Sequence, residues 1–249
     1  MIEWFDCCVE IGRRSVPSPL WVPDAAELVA LYDELGIGRA LVAHACLTEM
    51  NGPAGNARAV DALHDYPQLL PTWSILPPQT GEMGTIPEFL AGMRAAGVRA
   101  LWAIPDGYLL NMLTFGPLFE ELVARKIPLF LRLARLESWE TLTNLLAEAP
   151  AGLRMAVTLP SVWGQERYFR PLLERYPGLH VITSLFMVAG AYQSHVDRYG
   201  ARQLLFGTDF PNQQPGGALL MLLHSGLQDA EIAAIAGGNL QLMLEEVRL

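Results

Sequence analysis

Short apolar runs alternate along the chain with longer stretches in which apolar residues recur every three or four positions. This is the pattern of strands followed by amphipathic helices. Eight strand candidates follow in order, at 2–5, 40–43, 70–75, 98–103, 129–133, 155–159, 180–183 and 203–206. Several are apolar throughout, as parallel strands covered on both faces are. Between them, Asp24-x-x-Glu27 and Thr85-x-x-Glu88 fit a capping box, in which the first side chain accepts from the third helical N–H and the Glu reaches back. The first of these helices carries Leu28, Leu31 and Leu35 at helical spacing and stops near Gly36. Further helices are predicted at 117–126, 167–176 and 190–199, and a closing helical segment from about Asp229 onward.

Eight strand–helix units in 249 residues match the size of a (β/α)8 barrel. A doubly wound parallel sheet is the rival. No G-x-G-x-x-G or G-x-x-x-x-G-K-[ST] follows the first strand, so neither nucleotide-binding signature supports that rival. No Gly/Ser-rich linker or repeat divides the sequence, and the expectation is one α/β domain over residues 1–249, a single TIM-type barrel with a C-terminal helical segment.

Composition narrows the function classes. Hydrophobic residues make up 51% and charged residues 17%, and mean hydropathy is +0.24, which excludes a disordered chain. The richest apolar run, 218–223, ends at His224 and is far short of the roughly 18 residues a bilayer span needs, so no membrane is expected. Seventeen basic against 26 acidic residues give a net charge of −9, with no Lys/Arg stripe to meet phosphates, which argues against nucleic acid. Residues 1–6 lack a basic region followed by an apolar one, and the expected location is the cytoplasm. Cys7, Cys8 and Cys46 form neither a disulfide framework nor a C-x-x-C pair. A small-molecule ligand is the expected partner, and a homo-oligomer is compatible with the sequence.

In a barrel, chemistry sits where strands deliver their C-terminal residues. Those positions hold Asp6-Cys7-Cys8-Val9-Glu10, then His44, Trp73 and Ser74, Trp102 and Asp106, Arg132, Thr158, Thr183 and Ser184, and finally Thr208 and Asp209. His44 is the one histidine near that mouth. His64, His180, His195 and His224 fall elsewhere and form no H-x-H or H-E-x-x-H pair.

Four ordered segments carry a family resemblance: Phe5-Asp6-Cys7-Cys8-Val9-Glu10-Ile11-Gly12, Ile127-Pro128-Leu129-Phe130-Leu131-Arg132, Leu204-Leu205-Phe206-Gly207-Thr208-Asp209-Phe210-Pro211 and Gly238-Asn239-Leu240-Gln241-Leu242. Together they resemble the amidohydrolase superfamily, in particular its amidohydrolase-related branch of metal-dependent hydrolases and decarboxylases. The resemblance spans nearly the whole chain, and Phe-Gly-Thr-Asp-Phe-Pro is its strongest piece.

That family usually ends strand one with Asp-x-His-x-His and holds a divalent metal with these histidines, a later histidine and the strand-eight aspartate. Here the two histidine positions fall on Cys8 and Glu10, the strand-five histidine position on Arg132, and strand six offers Thr158 or Leu159. Asp209 alone matches. Cys8, Glu10 and Asp209 would still give a zinc ion three ligands. Arg132, permanently charged, would repel such a dication by several kcal/mol at an effective dielectric of about 20. The expectation is therefore a degenerate metal site and no cofactor, with Arg132 bridging Glu10 and Asp209 in the metal's place. One divalent metal, zinc foremost, is the alternative.

The resemblance implies a hydrolase, less favourably a decarboxylase, acting on a small carboxylate or cyclic acid. Asp209 and His44 would be its catalytic residues, and Arg132, Glu10, Cys8 and Trp102 would bind the substrate. Trp73 and Trp163 are weaker pocket candidates. Against these roles stand ordinary ones: Cys8 as an inert core thiol, His44 hydrogen-bonded in a loop, Asp209 as a turn acid, and the tryptophans as packing. A barrel that binds a small molecule or a protein partner without catalysis is the alternative function.

Overall fold

The computed structural model describes residues 2–16, 20, 24–105, 107–136 and 138–249; Asp106 lies outside them. All the strands are parallel. β1 (Trp4–Ile11), β2 (Ile37–His44) and β3 (Leu69–Pro71) pair in that order, and β4 (Trp73–Ile75), β5 (Leu101–Ala103), β6 (Leu129–Arg132), β7 (Met155–Thr158), β8 (Leu179–Ile182) and β9 (Leu204–Leu205) pair in theirs. Only Thr72 separates β3 from β4. Its N–H donates to Val42 O on one side, while Trp73 N–H donates to Ala100 O on the other, so one strand changes partner at the proline that cannot donate. At the far edges, Cys7 N–H donates to Phe206 O at 3.0 Å and Glu10 N–H to Phe210 O at 2.9 Å, which brings β1 against the chain that follows β9. Eight strand positions result, in a TIM barrel.

The period of two along each strand sorts the side chains into two sets. Leu41, Trp102, Phe130, Ala156, Ile182 and Leu205 pack together inside. Their neighbours Val42, Leu101, Leu129, Met155, Val181 and Leu204 pack outward against the helices. Arg132 and Thr158 come two residues after Phe130 and Ala156 and are paired in register, so both face inward at the C-terminal end of the barrel. On β1 the register with β2 slips between Asp6 and Val9. This bulge places both Cys7 and Cys8 with the interior residues and turns Asp6 toward the outer layer.

The outer layer is α1 (Ala25–Leu35), α2 (Cys46–Glu49), α3 (Gly52–Leu63), α4 (Ile86–Ala95), α5 (Met112–Arg125), α6 (Trp139–Glu148), α7 (Glu166–Arg175), α8 (Ala191–Tyr199) and α9 (Pro215–Leu223). Thr85 and Glu88 make both bonds of the capping box, whereas Asp24 makes only its own, from Glu27 N–H at 2.9 Å. α5 starts five residues before the predicted position because Asn111 caps it, accepting from Thr114 N–H at 3.0 Å, and Pro117 lies inside the helix.

The predicted closing segment is present as α10 (Asp229–Ala233), a π-helical turn and α11 (Asn239–Glu245). Leu240, Met243 and Leu244 plug the N-terminal end of the barrel. Arg99 and Arg154 donate to the carbonyls of Leu244 and Met243, where the negative end of the helix dipole lies. Among the described residues no helix is long and apolar enough to cross a membrane.

Candidate active site at the C-terminal mouth of the barrel

A cavity of about 590 Å³ opens at the C-terminal mouth. Arg132 and Asp209 stand in its wall and are bound to each other, Nη1 donating to Oδ1. The guanidinium carbon lies 5.4 Å from the centroid of Trp102, whose buried ring forms part of the same wall. Burial works against the charge of Arg132, and the carboxylates of Asp209 and Glu10 beside it outweigh that penalty.

Asp209 sits at φ +56°, a left-handed conformation that Asp tolerates better than most residues. The turn is fixed locally: Asn212 N–H donates to Asp209 O at 2.8 Å and Asn212 Nδ2 to Asp209 Oδ2 at 3.2 Å. Phe210 N–H donates to Thr208 Oγ1 at 3.1 Å. Asn212 in turn accepts from Arg14 Nη1 at 2.8 Å, and Arg14 Nε donates to Glu10 Oε1 at 2.6 Å. The two acids are therefore neutralised separately, Asp209 by Arg132 and Glu10 by Arg14. The single arginine bridge expected from the sequence does not form, because Arg14, four residues after Glu10, reaches it first.

The remaining candidates divide. Glu10, Trp102, Arg132, Thr158 and Asp209 all border the cavity. Cys8 is fully buried beneath it, its Sγ donating to Asp209 Oδ1 at 3.5 Å, and burial pushes its thiol well above the ordinary range, so it is neither a thiolate nor a surface for substrate. His44 does not border the cavity. Its Nδ1 accepts from Cys46 N–H at 3.1 Å, and burial, aided by Arg58, lowers its pKa against the pull of Glu10. Its ring lies on Gly12, where a Cβ would stand 2.6 Å from Cε1 at a φ of +96°. Gly12→Ala is expected to cost about 1–3 kcal/mol through strain and displacement of the imidazole, read as a fall in the thermal midpoint; an unchanged midpoint would show that this packing is not required.

Trp73 packs against Phe89 and Gly92, and Trp163 is 77% exposed and away from the cavity. Asp6 is also elsewhere, in a buried network that accepts from Cys8 N–H, Thr208 N–H, Thr208 Oγ1 and Tyr32 Oη. Burial pushes its carboxyl up to about 6, while those bonds pull it down. Arg14, Arg135, Thr48 and Asn212 also border the cavity and were not among the predicted site residues, since they lie beyond the strand ends, Thr48 in α2 and Arg135 in a 3-10 turn after β6. The three-residue step from Asp209 to Asn212, a turn spacing, was the available signal.

Neither a family model nor a curated protein matches the sequence. Solved structures do. A 2,6-dihydroxybenzoate decarboxylase from Rhizobium superposes with a TM-score of 0.78 at 14% identity, over 98% of this chain and 99% of that one. A protein described as a 2-pyrone-4,6-dicarboxylic acid hydrolase from Pseudomonas putida gives 0.70 at 17% identity, over 99% and 98%. A dihydroxybenzoic acid decarboxylase from Polaromonas sp. JS666, with bound manganese and the inhibitor 2-nitroresorcinol, gives 0.73 at 15%, over 100% and 98%. The chain shares the TIM-barrel fold of these hydrolases and decarboxylases. The resemblance carried by the strand-end motifs is thus borne out for the fold of the whole chain.

The manganese corrects one expectation. The repulsion of a dication by Arg132 led to the expectation of no cofactor, but a barrel of this fold holds manganese, which suits carboxylate and other oxygen donors. A divalent metal, the alternative, is what the neighbours point to. The donors of this chain, as they stand, do not fit one. Asp209 Oδ1 is taken by Arg132, Glu10 Oε1 by Arg14, the Cys8 thiol is protonated, and among the described residues no group of three His, Cys, Asp or Glu converges. No chemical step is therefore routed through a metal below.

Proposed function

We infer that the chain is one barrel domain, an enzyme of the hydrolase and decarboxylase type that acts on a small carboxylate at the mouth, hydrolysis being the favoured reaction. The observation that carries this reading is the Arg132 guanidinium in the cavity wall, with one N–H on Asp209 and, among the described residues, no other side-chain hydrogen bond on its planar fork. Such a fork matches a carboxylate in two parallel charge-assisted bonds. Three arginines, Arg14, Arg132 and Arg135, face three acids, Glu10, Glu49 and Asp209, around the cavity. In a chain of net charge −9 the mouth is thus locally balanced and admits an anion.

In this reading Arg132 holds and orients the substrate carboxylate, Trp102 supports the guanidinium from its face, and Asp209 takes the proton from the water that attacks the scissile carbonyl and returns it to the leaving oxygen or nitrogen as the C–O or C–N bond breaks. Glu10 shapes the wall through Arg14. Neither His44 nor Cys8 has a part. The free, buried Cys7 and Cys8 suit the reducing cytoplasm.

Turnover of a panel of small carboxylates bearing ester, lactone or amide bonds tests the proposal. Asp209→Asn is expected to lower turnover by about a hundredfold or more; equal rates in wild type and variant would remove Asp209 from the reaction. A second reading, binding without turnover, is favoured by one observation: both Asp209 oxygens are occupied, Oδ1 by Arg132 and Cys8 and Oδ2 by Asn212. Carboxylates that bind through Arg132 while none is consumed would select it.

A further inference from the structure

A second cavity, of about 310 Å³, adjoins the first and shares the side chains of Leu47, Thr48 and Ile104 with it. Its character is different. Among the described residues no arginine borders it, Glu82 is its one charged side chain, and its wall includes Ile75, Leu76 and Tyr108. One polar group stands out. Ser74, on β4 at the end of the third strand position, is 3% exposed, and its Oγ has no hydrogen-bond partner, although its backbone N–H and C=O are both held by the Asn56 side chain. A buried hydroxyl without a partner is costly, and it gains most from a ligand atom able to bond it.

Gly52 packs directly against that hydroxyl. A Cβ at Gly52 would stand 2.9 Å from Ser74 Oγ and 3.2 Å from the Leu76 side chain. Gly52 opens α3 behind the Asn51 cap, a position where alanine is a better helix former, so local helix formation does not call for glycine. Its close approach to Ser74 and Leu76 does.

We propose that this second compartment is a specificity subsite: it receives the uncharged body of the substrate, a ring or short chain carrying one hydrogen-bonding group, which meets Ser74 Oγ. The proposal rests on the reading of Arg132 as the carboxylate anchor, and makes the substrate an elongated amphipathic acid with charge at one end and a hydroxyl or amide at the other. Leu47 and Ile104 form the apolar waist between the two ends, and Gly52, by its close approach, leaves the Ser74 hydroxyl in place at the far end.

Calorimetric titration of the intact protein with acetate, phenylpropanoate, para-hydroxyphenylpropanoate and para-cresol tests it. Para-hydroxyphenylpropanoate is expected to bind wild type tighter than acetate by about tenfold or more. In Gly52→Ala that ratio falls to about one, and in Ser74→Ala, a change that only removes the hydroxyl, the advantage over phenylpropanoate disappears. Para-cresol, which has no carboxylate, is expected to bind wild type and Arg132→Met alike and to lose binding in Gly52→Ala. If para-cresol behaves so while no acid binds, the subsite stands and the carboxylate anchor falls. If the acids bind through Arg132 but the length advantage survives in Gly52→Ala, or the hydroxyl advantage survives in Ser74→Ala, the subsite is overturned.

Discussion

Arg132→Met is expected to weaken the binding of a small carboxylate by about a hundredfold or more and, in the same protein, to lower stability by about 3 kcal/mol. The two effects share a cause. The Arg132 and Asp209 side chains are only 20% and 15% exposed, so removing the cation leaves a carboxylate that is mostly out of water, with only the Cys8 thiol and Asn212 amide to bond it. Breaking such a pair from one side costs about 3–5 kcal/mol when fully buried, and the lower end suits this partial exposure. For a chain of this length that is a fall of roughly 10 °C in the thermal midpoint.

The double variant Arg132→Met/Asp209→Asn should regain most of that stability, since no charge is left uncompensated, but none of the affinity. Arg132→Lys separates charge from shape. It keeps the cation and loses the fork, so affinity is expected between the other two. Titration calorimetry and thermal unfolding read these quantities. Carboxylate affinity that is equal in wild type and Arg132→Met would remove the anchor from the account.

The second large effect lies outside the mouth. Asp6→Ala removes one acceptor group from four donors at once: Cys8 N–H, Thr208 N–H, Thr208 Oγ1 and Tyr32 Oη. Each buried donor left alone costs about 1–3 kcal/mol, and even with relaxation the loss is expected to reach about 4 kcal/mol or more. Asp6→Asn keeps the shape and one acceptor oxygen, and Tyr32 and Thr208 can turn their hydroxyls to accept from the new amide, so it is expected to be milder.

The pH dependence distinguishes the charge from the hydrogen bonds. Burial raises the Asp6 pKa from 3.8 to about 6, so the folded protein binds this proton more tightly than the unfolded chain. The stabilisation due to the proton is fully present below about pH 4 and is lost as pH rises through 6. The midpoint of wild type relative to Asp6→Asn is therefore expected to rise as pH is lowered from 7 to 4. A difference that stays constant over that range would show that Asp6 is not desolvated as described.

This network explains why the mouth was only partly legible in the sequence. Counted in steps of two, Asp6, Cys8 and Glu10 share one face of an ideal strand. The slip in register between Asp6 and Val9 breaks that phase and sends Asp6 out to Tyr32 of α1, and no residue type marks the bulge beforehand. The inward direction of Arg132 and Thr158 was legible, because the period of two runs unbroken from the interior residues Phe130 and Ala156. The alternation also announced the eight strand positions, although β1 and β2 extend well beyond their predicted limits. Arg14 and Asn212 stayed hidden for a different reason. Their positions depend on how loops return over the barrel, and the ion pair of Arg14 with Glu10 has the spacing of a helical pair without a helix. The cofactor expectation failed because it rested on the charge of Arg132, a residue whose ion pair with Asp209 no sequence position displays.

A crystal structure of the wild-type protein with para-hydroxyphenylpropanoate tests the central claim most directly. The acid is expected in the mouth with its carboxylate oxygens about 2.7–2.9 Å from the Arg132 guanidinium nitrogens. An acid bound with its carboxylate turned away from Arg132, or seated elsewhere on the protein, would contradict it.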